Sequence, residues 1–135
     1  MRSRTLSVSV HADPTHVYEF VIDPQNLPRW APGFAHAMQR TPSGWMVDTG
    51  ESSVGIRFEP ENQLGVADHW VTIEPDVVVY NALRIVPNGD GTEVVFTFFQ
   101  TQDLTEADLV AAADLVAADL QTLRSVLENP TTEAR

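Results

Sequence analysis

The segment from Thr105 to Glu128 constrains the fold more than any other part of the chain, because it has the pattern of one long amphipathic helix. Thr105 and Asp108 have the spacing of a capping box at its start. Pro130 predicts its end, with Asn129 as a left-handed cap. A helix of this length with one apolar stripe needs a partner surface to cover the stripe. Steps of four and three define that stripe: Leu109, Ala113, Val116, Leu120, Leu123 and Leu127.

The residues before this helix supply the partner surface as a series of predicted strands. Apolar and polar residues alternate from Arg4 to Val10, which indicates a strand with one buried face. Asp13-Pro14 and Asp23-Pro24 then each place a capping residue before a proline, so we expect two short helices. Beyond them the period changes to two. Short turns separate six further predicted strands: Ala35 to Thr41, Trp45 to Thr49, Glu51 to Phe58, Val66 to Ile73, Val77 to Val86 and Thr92 to Thr101.

This order of elements predicts an α+β fold with a strongly curved, seven-stranded antiparallel sheet wrapped around the C-terminal helix. Turns of a few residues between consecutive strands favour antiparallel neighbours. The two short helices follow the first strand and form a bent cap. A chain of 135 residues is the size of one domain. We therefore predict a single domain over residues 1–130 and a tail over residues 131–135.

Charge and composition exclude several classes of partner. The formal net charge of −11 at pH 7 disfavours nucleic acids and anionic membrane surfaces, since both are negatively charged. The chain has no cysteine, so disulfides, thiol nucleophiles and thiolate metal sites are excluded. No apolar run is long enough to span a bilayer, and Met1 to Asp13 lacks the apolar core of a signal peptide. We therefore expect a cytoplasmic protein.

The predicted inner face of the sheet carries apolar and aromatic residues that either fill the core or line a pocket for a flat, apolar ligand. On the last hairpin, pairing of Arg84 with Glu93 on the outer face would direct the alternate residues inward. The candidate lining residues of the sheet and cap are Trp30, Phe34, Trp45, Val47, Val54, Ile56, Leu83, Phe96 and Phe98, and those of the long helix are Leu109, Ala113, Val116 and Leu120.

A few polar residues are candidates for chemistry. Asp68 and His69 would form an acid–base pair, yet neighbours on a regular strand point to opposite faces. The more evenly apolar face includes His69, so we expect His69 inside, as a catalytic group or as a hydrogen-bonded core residue. Asn81 falls on the inner face and would either orient a ligand carbonyl or bond the backbone. For Arg57 the pattern favours the surface, since burying an unpaired arginine is unfavourable.

No motif for a metal, phosphate group or nucleophile is present. The four histidines, at positions 11, 16, 36 and 69, do not have the spacing of a metal site. Ser52-Ser53 lacks the glycines of a nucleophile elbow. Gly89-Asp90-Gly91 connects two strands and opens no helix, unlike a phosphate-binding loop. We therefore expect no metal and no cofactor.

Three segments together resemble the SRPBCC superfamily: ADPTHVYEFVIDPQNLPRW, IVPNGDGTEVVFTF and DLQTLRSVLEN. This superfamily has the helix-grip fold of START domains, birch-pollen-type allergens and polyketide cyclase/dehydrases. The resemblance covers Arg4 to Asn129 and is strongest to the small polyketide cyclase/dehydrase-like branch of bacteria. It implies a deep cavity between the sheet and the C-terminal helix, gated by the two short helices. It also implies that an arginine in the cavity of aromatase/cyclases polarises a ketone, a role that Arg57 fills only if it points inward.

Three functions are consistent with this fold, since a fold alone does not determine function. The first is binding of a small hydrophobic or aromatic metabolite in the internal cavity. The second is a polyketide cyclase/dehydrase-like enzyme that catalyses aldol cyclisation or dehydration, with His69, Asp68 or Asn81 moving a proton. The third is a protein-interaction module of the chaperone co-activator type. The oligomeric state stays open, with a homodimer among the alternatives.

Overall fold

The computed structural model describes residues 1–102 and 104–129, so the predicted tail lies outside the described residues. The strands are β1 (Ser3–Val10), β2 (Ala37–Thr41), β3 (Gly44–Asp48), β4 (Ser53–Phe58), β5 (His69–Glu74), β6 (Val77–Asn88) and β7 (Gly91–Phe99). The helices are α1 (Pro14–Ile22), α2 (Leu27–Trp30) and α3 (Glu106–Glu128), and a 3₁₀ turn over Pro24–Asn26 joins α1 to α2.

All seven strands belong to one antiparallel sheet with the order β1-β7-β6-β5-β4-β3-β2. Strands β2 to β7 form a meander, because each pairs with the next along the chain. β1 pairs with β7 and completes the sheet beside the last strand. The predicted α+β architecture is therefore confirmed, including the two short helices that follow β1.

Local signals in the sequence account for the helix ends. Asp13 and Asp23 accept hydrogen bonds from Thr15 N and Gln25 N and so cap α1 and the 3₁₀ turn. The capping box of α3 is present, with both reciprocal bonds formed between Thr105 and Asp108.

The prediction of a left-handed cap at the end of α3 is wrong. The φ of Asn129 is −127°, which lies outside the left-handed region. The backbone N–H and the side-chain amide of Asn129 both donate to Ser125 O, at 3.0 and 2.9 Å. The Ser125 carbonyl is therefore hydrogen-bonded although Asn129 does not adopt the left-handed conformation.

The fifth strand begins at His69, three residues later than the predicted start at Val66. Val66 makes only an isolated bridge to Arg84. Ala67 N donates to Leu83 O at 2.8 Å, but Leu83 N donates to the Asp68 side chain instead of to the backbone. A side chain thus replaces one bond of the ladder, which ends regular pairing at this position.

The predicted pairing of Arg84 with Glu93 is also wrong. A tight turn pairs Asn88 with Gly91, so that Arg84 lies opposite Val95 and Glu93 lies opposite Val86. This register differs from the predicted one by two residues. Because side chains alternate with a period of two, a shift of two leaves each residue on its predicted face.

The core fills the space between the inner face of the sheet, α1, α2 and α3. The stripe of α3 is buried at Leu109, Ala113, Leu120, Leu123 and Leu127, with Val116 partly buried against the same cluster. α3 packs against β1 at one side of the sheet and against α2. None of the helices in the described part of the chain combines the length and hydrophobicity that a membrane span requires.

Candidate functional site

A cavity of about 280 Å³ lies between the inner face of the sheet, the α2 region and one side of α3. The sheet forms its floor, α3 forms one wall, and α2 with the turn that follows it forms another. Apolar side chains make up most of the surface. The lining residues are Leu27, Trp30, Ala31, Gly33, Phe34, Ile56, His69, Val71, Val79, Asn81, Phe96, Phe98, Phe99, Leu104, Ala112, Leu115, Val116, Asp119 and Leu120.

His69 is buried at the start of β5, and its imidazole lines the cavity. Its ring packs 5.1 Å from the Phe58 ring and 5.8 Å from the Phe96 ring, measured between centroids. Nδ1 lies 3.2 Å from Ala67 O, and Nε2 lies 3.4 Å from Asn81 Nδ2. Burial lowers the pKa of His69 to about 4, although the Ala67 carbonyl and the nearby Asp68 charge act in the opposite direction. The imidazole is therefore neutral at pH 7.

Asn81 lies directly opposite His69 in the ladder between β5 and β6. Both residues occupy the same face of the sheet, and their side chains contact each other within the cavity wall. The sequence placed Asn81 on this face, and the observed register agrees. It is half-buried, so its amide has contact with the open space of the cavity.

Asp119 contributes a carboxylate from α3. Its side chain lines the cavity and is 8% exposed. Oδ1 accepts a hydrogen bond from Gly33 N at 3.1 Å, which connects the turn after α2 to α3. Burial raises the pKa of Asp119, and the bond from Gly33 offsets part of this effect. A Cβ at position 33 would lie 3.0 Å from Asp119 Oδ1, so glycine permits this close approach.

Asp68 lies on the opposite face of the sheet from His69 and does not line the cavity. Its carboxylate accepts from Arg84 Nε and Nη2, both at 2.8 Å, from the Tyr80 hydroxyl at 2.6 Å and from Leu83 N at 2.9 Å. Burial raises the pKa of Asp68, but these bonds outweigh it and leave the pKa below its ordinary value. The carboxylate is therefore an ionised part of the outer face and is not a partner for His69 in catalysis.

Arg57 is exposed on this outer face, as the sequence favoured. Its guanidinium lies 4.5 Å from the centroid of the Trp70 ring. Trp70 in turn packs 5.2 Å from the Tyr80 ring. Polarisation of a ketone by Arg57 inside the cavity is therefore incompatible with this arrangement.

The predicted pocket residues fall into two groups. Those that line the cavity are Trp30, Phe34, Ile56, His69, Asn81, Phe96, Phe98, Val116 and Leu120. Those that lie outside its lining are Trp45, Val47, Val54, Leu83, Leu109 and Ala113. All of the second group except Trp45 are buried in the core, and Trp45 is half-buried beneath the guanidinium of Arg40.

Sequence reasoning missed Asp119, because only one stripe of the long helix was considered. Ala112, Leu115 and Asp119 have the spacing i, i+3 and i+7 and, with Val116 of the stripe at i+4, extend the inward-facing side of the helix beyond the stripe. All four line the cavity. Within the described residues, no cluster of three or more histidine, aspartate or glutamate side chains has the arrangement of a metal site.

No protein-family model matches this sequence, and no curated protein matches it. Solved structures do match. The protein XoxI from Bacillus cereus superposes with a TM-score of 0.76 at 14% identity, over 94% of this chain and 96% of that one. The di-domain ARO/CYC protein BexL of the BE-7585A biosynthetic pathway superposes with a TM-score of 0.75 at 16% identity, over 97% of this chain and 48% of that one.

Ara h 8.0201 is a third structural neighbour, with a TM-score of 0.68 at 12% identity over 93% of this chain and 97% of that chain. These similarities in structure show that the chain shares its α+β helix-grip fold with these proteins, the fold that the sequence segments suggested. At such low identities they establish the fold alone.

Proposed function

We propose that this protein binds a small hydrophobic or aromatic molecule in the cavity between the sheet and α3. The observation that carries this proposal is an apolar cavity of about 280 Å³ whose described lining residues include three titratable or amide side chains, His69, Asn81 and Asp119. Protein interiors are close-packed, and voids larger than a water molecule are few. Ligand sites are typically apolar clefts with a small number of placed polar groups, which is the composition found here.

Native mass spectrometry of the purified protein, compared with the denatured mass, tests this proposal directly. We expect a discrete additional mass in the native spectrum, or uptake of 2-naphthol by the empty protein as a probe of the cavity. Absence of both, together with no thermal shift across one-ring to three-ring aromatic compounds, contradicts the proposal.

Two variants of α3 provide a matched comparison. Ala112 lines the cavity, whereas the adjacent Ala111 is exposed to solvent. Ala112→Phe fills part of the cavity and should reduce uptake of 2-naphthol by about tenfold or more, whereas Ala111→Phe should leave it unchanged. Equal uptake by the two variants would place the bound molecule elsewhere on the protein.

A second candidate function is a polyketide cyclase/dehydrase-like enzyme, and the position of Asp119 favours it. Because burial raises its pKa, Asp119 is a stronger base than an ordinary carboxylate, and it lines the cavity in which a substrate would bind. In a dehydration it would accept the proton α to a ketone and then return that proton to the β-hydroxyl group, which leaves as water as the C=C bond forms. His69 is a weaker base than an ordinary histidine, because burial lowers its pKa to about 4, and Nε2 already has Asn81 as a neighbour.

Loss of water from 4-hydroxy-4-phenylbutan-2-one tests the enzyme hypothesis, since the enone product absorbs in the near ultraviolet. Turnover that Asp119→Asn abolishes and Asp114→Asn preserves supports catalysis. Binding of the compound without turnover by the wild-type protein supports a binding function alone.

A further inference from the structure

The tautomer of His69 determines which polar groups of the cavity donate hydrogen bonds and which accept them. Ala67 O is a carbonyl oxygen and only accepts, so His69 Nδ1, at 3.2 Å from it, carries the proton. A neutral imidazole has one N–H, so Nε2 is the acceptor. The group that faces Nε2 is therefore a donor.

The tautomer of His69 in turn orients Asn81. The amide nitrogen of Asn81 lies 3.4 Å from Nε2, as expected for a donor that faces an acceptor. Asn81 Oδ1 consequently points away from the imidazole. This oxygen accepts no hydrogen bond from any described residue, and it belongs to a half-buried side chain of the cavity lining.

Asp119 presents a second acceptor from the opposite wall. Asp119 Oδ1 accepts the hydrogen bond from Gly33 N, whereas Oδ2 accepts no hydrogen bond within the described part of the chain. The side chain is more than nine-tenths buried and lines the cavity. Among the described residues, Trp30 Nε1 is the only fully covered side-chain polar atom without a partner, so Asp119 Oδ2 keeps contact with the open space of the cavity, where a donor on a ligand would bond it.

Among the described lining residues, the second N–H of the Asn81 amide is the one donor that faces the cavity without a protein partner, against two such acceptor oxygens. The chain contains no lysine, and none of the lining residues is an arginine. The indole nitrogen of Trp30 is covered by neighbouring atoms and has no hydrogen-bond partner among the described residues, so it does not reach the open space. The described lining is thus apolar, with two acceptor oxygens and one amide N–H that are free to bond a ligand.

We propose that the ligand is an apolar ring compound that carries a hydrogen-bond donor, a hydroxyl or a protonated amino group, and that carboxylates are rejected. This inference rests on the proposed binding function and specifies the class of ligand. A hydroxyl or ammonium group satisfies Asp119 Oδ2 or Asn81 Oδ1. A carboxylate would bring a second negative charge beside Asp119, and none of the described lining residues carries a positive charge to compensate it.

A matched series of naphthalenes tests the inference by isothermal titration calorimetry at pH 7.5. The compounds 2-methylnaphthalene, 2-naphthol, 2-naphthylmethylamine and 2-naphthoate share one ring system and differ in one substituent. We expect at least one of the two donor compounds to bind about tenfold tighter than 2-methylnaphthalene, and 2-naphthoate to bind weakest. The comparison of 2-naphthol with the amine shows which donor the site prefers.

The Asp119→Asn variant replaces one hydrogen-bond acceptor of the cavity with a donor. Its side-chain oxygen can still accept from Gly33 N, while an NH₂ group replaces Oδ2. We expect the donor compounds to lose about tenfold in affinity and 2-naphthoate to gain. Asp114→Asn is the control, because Asp114 is an exposed residue of the same helix and the change in net charge is identical.

The possible results separate the two proposals. Binding of 2-methylnaphthalene with no preference for donor compounds, or tightest binding of 2-naphthoate, overturns the ligand class and leaves the binding function intact. If none of the four compounds binds to the wild-type protein and native mass spectrometry shows no retained molecule, the binding function fails and this inference fails with it; a retained molecule that carries no hydrogen-bond donor overturns the ligand class alone. A preference for donors that Asp119→Asn and Asp114→Asn change equally overturns the role of Asp119.

Discussion

Replacing Asp68 by alanine should lower the stability of the protein substantially, because one carboxylate holds three groups of the β5–β6 region together. The Asp68 side chain is 7% exposed and takes four hydrogen bonds, two from Arg84 and one each from Tyr80 and Leu83. These groups reach Asp68 from β6. The break in the β5–β6 ladder lies at this residue.

The expected magnitude follows from what each partner does after the substitution. Leu83 N is left buried without a partner, a loss of roughly 1–3 kcal/mol. The Arg84 side chain is 48% exposed and regains water, so its ion pair adds about 1 kcal/mol or less. Tyr80 is also partly exposed and contributes a similar amount. We therefore expect Asp68→Ala to reduce the free energy of unfolding by about 3 kcal/mol, or to lower Tm by roughly 10 °C.

Urea unfolding followed by far-ultraviolet circular dichroism measures this loss. Tryptophan fluorescence is less suitable, because Trp70 packs against Tyr80 and would respond to the substitution directly. Glu93→Ala is the control: its carboxylate bonds Ser9 and Asn88 on the same outer face, and its loss should be below about 1 kcal/mol. A loss below about 1 kcal/mol for Asp68→Ala would refute the reasoning. Arg84→Ala should also have almost no effect in the Asp68→Ala background.

Three further predictions concern His69, Gly65 and the start of α3. The pKa of His69 falls from 6.5 to about 4 on folding, so between these pH values the unfolded chain binds more protons than the folded protein. The free energy of unfolding should therefore fall by up to ~3 kcal/mol as the pH drops from 6.5 to 4. This part of the pH dependence should be absent in His69→Gln. Gly65→Ala should destabilise by about 3 kcal/mol or more, since φ is +74° and a Cβ would lie 2.2 Å from Ile85 O. Thr105→Ala should lower the free energy of unfolding by about 1 kcal/mol through loss of the capping box, in thermal or urea unfolding.

Each of these predictions has a control within the chain. Equal pH dependence of wild type and His69→Gln contradicts the assignment of a buried neutral imidazole. Gly89 also has positive φ, +61°, but open space around its Cβ position, so Gly89→Ala should be the milder substitution. Similar losses at both glycines would mean that backbone conformation, and not the contact with Ile85, decides the effect. Thr105→Ser should retain most of the stability, because a hydroxyl still accepts from Asp108 N.

The elements of this fold follow from local features of the sequence. The period of α3, the Asp-Pro starts of the first two helices and the alternation along the strands are short-range patterns, and each led to an element that the structure contains. Alternation also placed His69 and Asn81 on the inner face and Arg57 on the outer face. Side chains along a strand alternate between the two faces of the sheet. An error of two residues in the predicted β6–β7 register therefore left every side chain of this hairpin on its predicted face.

The tertiary structure alone decided which inner residues border the cavity and which fill the core. Val54 and Ile56 both occupy the inner face of β4 and are equally buried, yet only Ile56 reaches the cavity, because α2 and α3 cover the sheet unevenly. The partner of Arg84 and the role of Asp119 depend likewise on residues distant in sequence, Asp68 and Gly33. Local periodicity determines the face of a residue, whereas its neighbours across that face depend on how helices and sheet pack together.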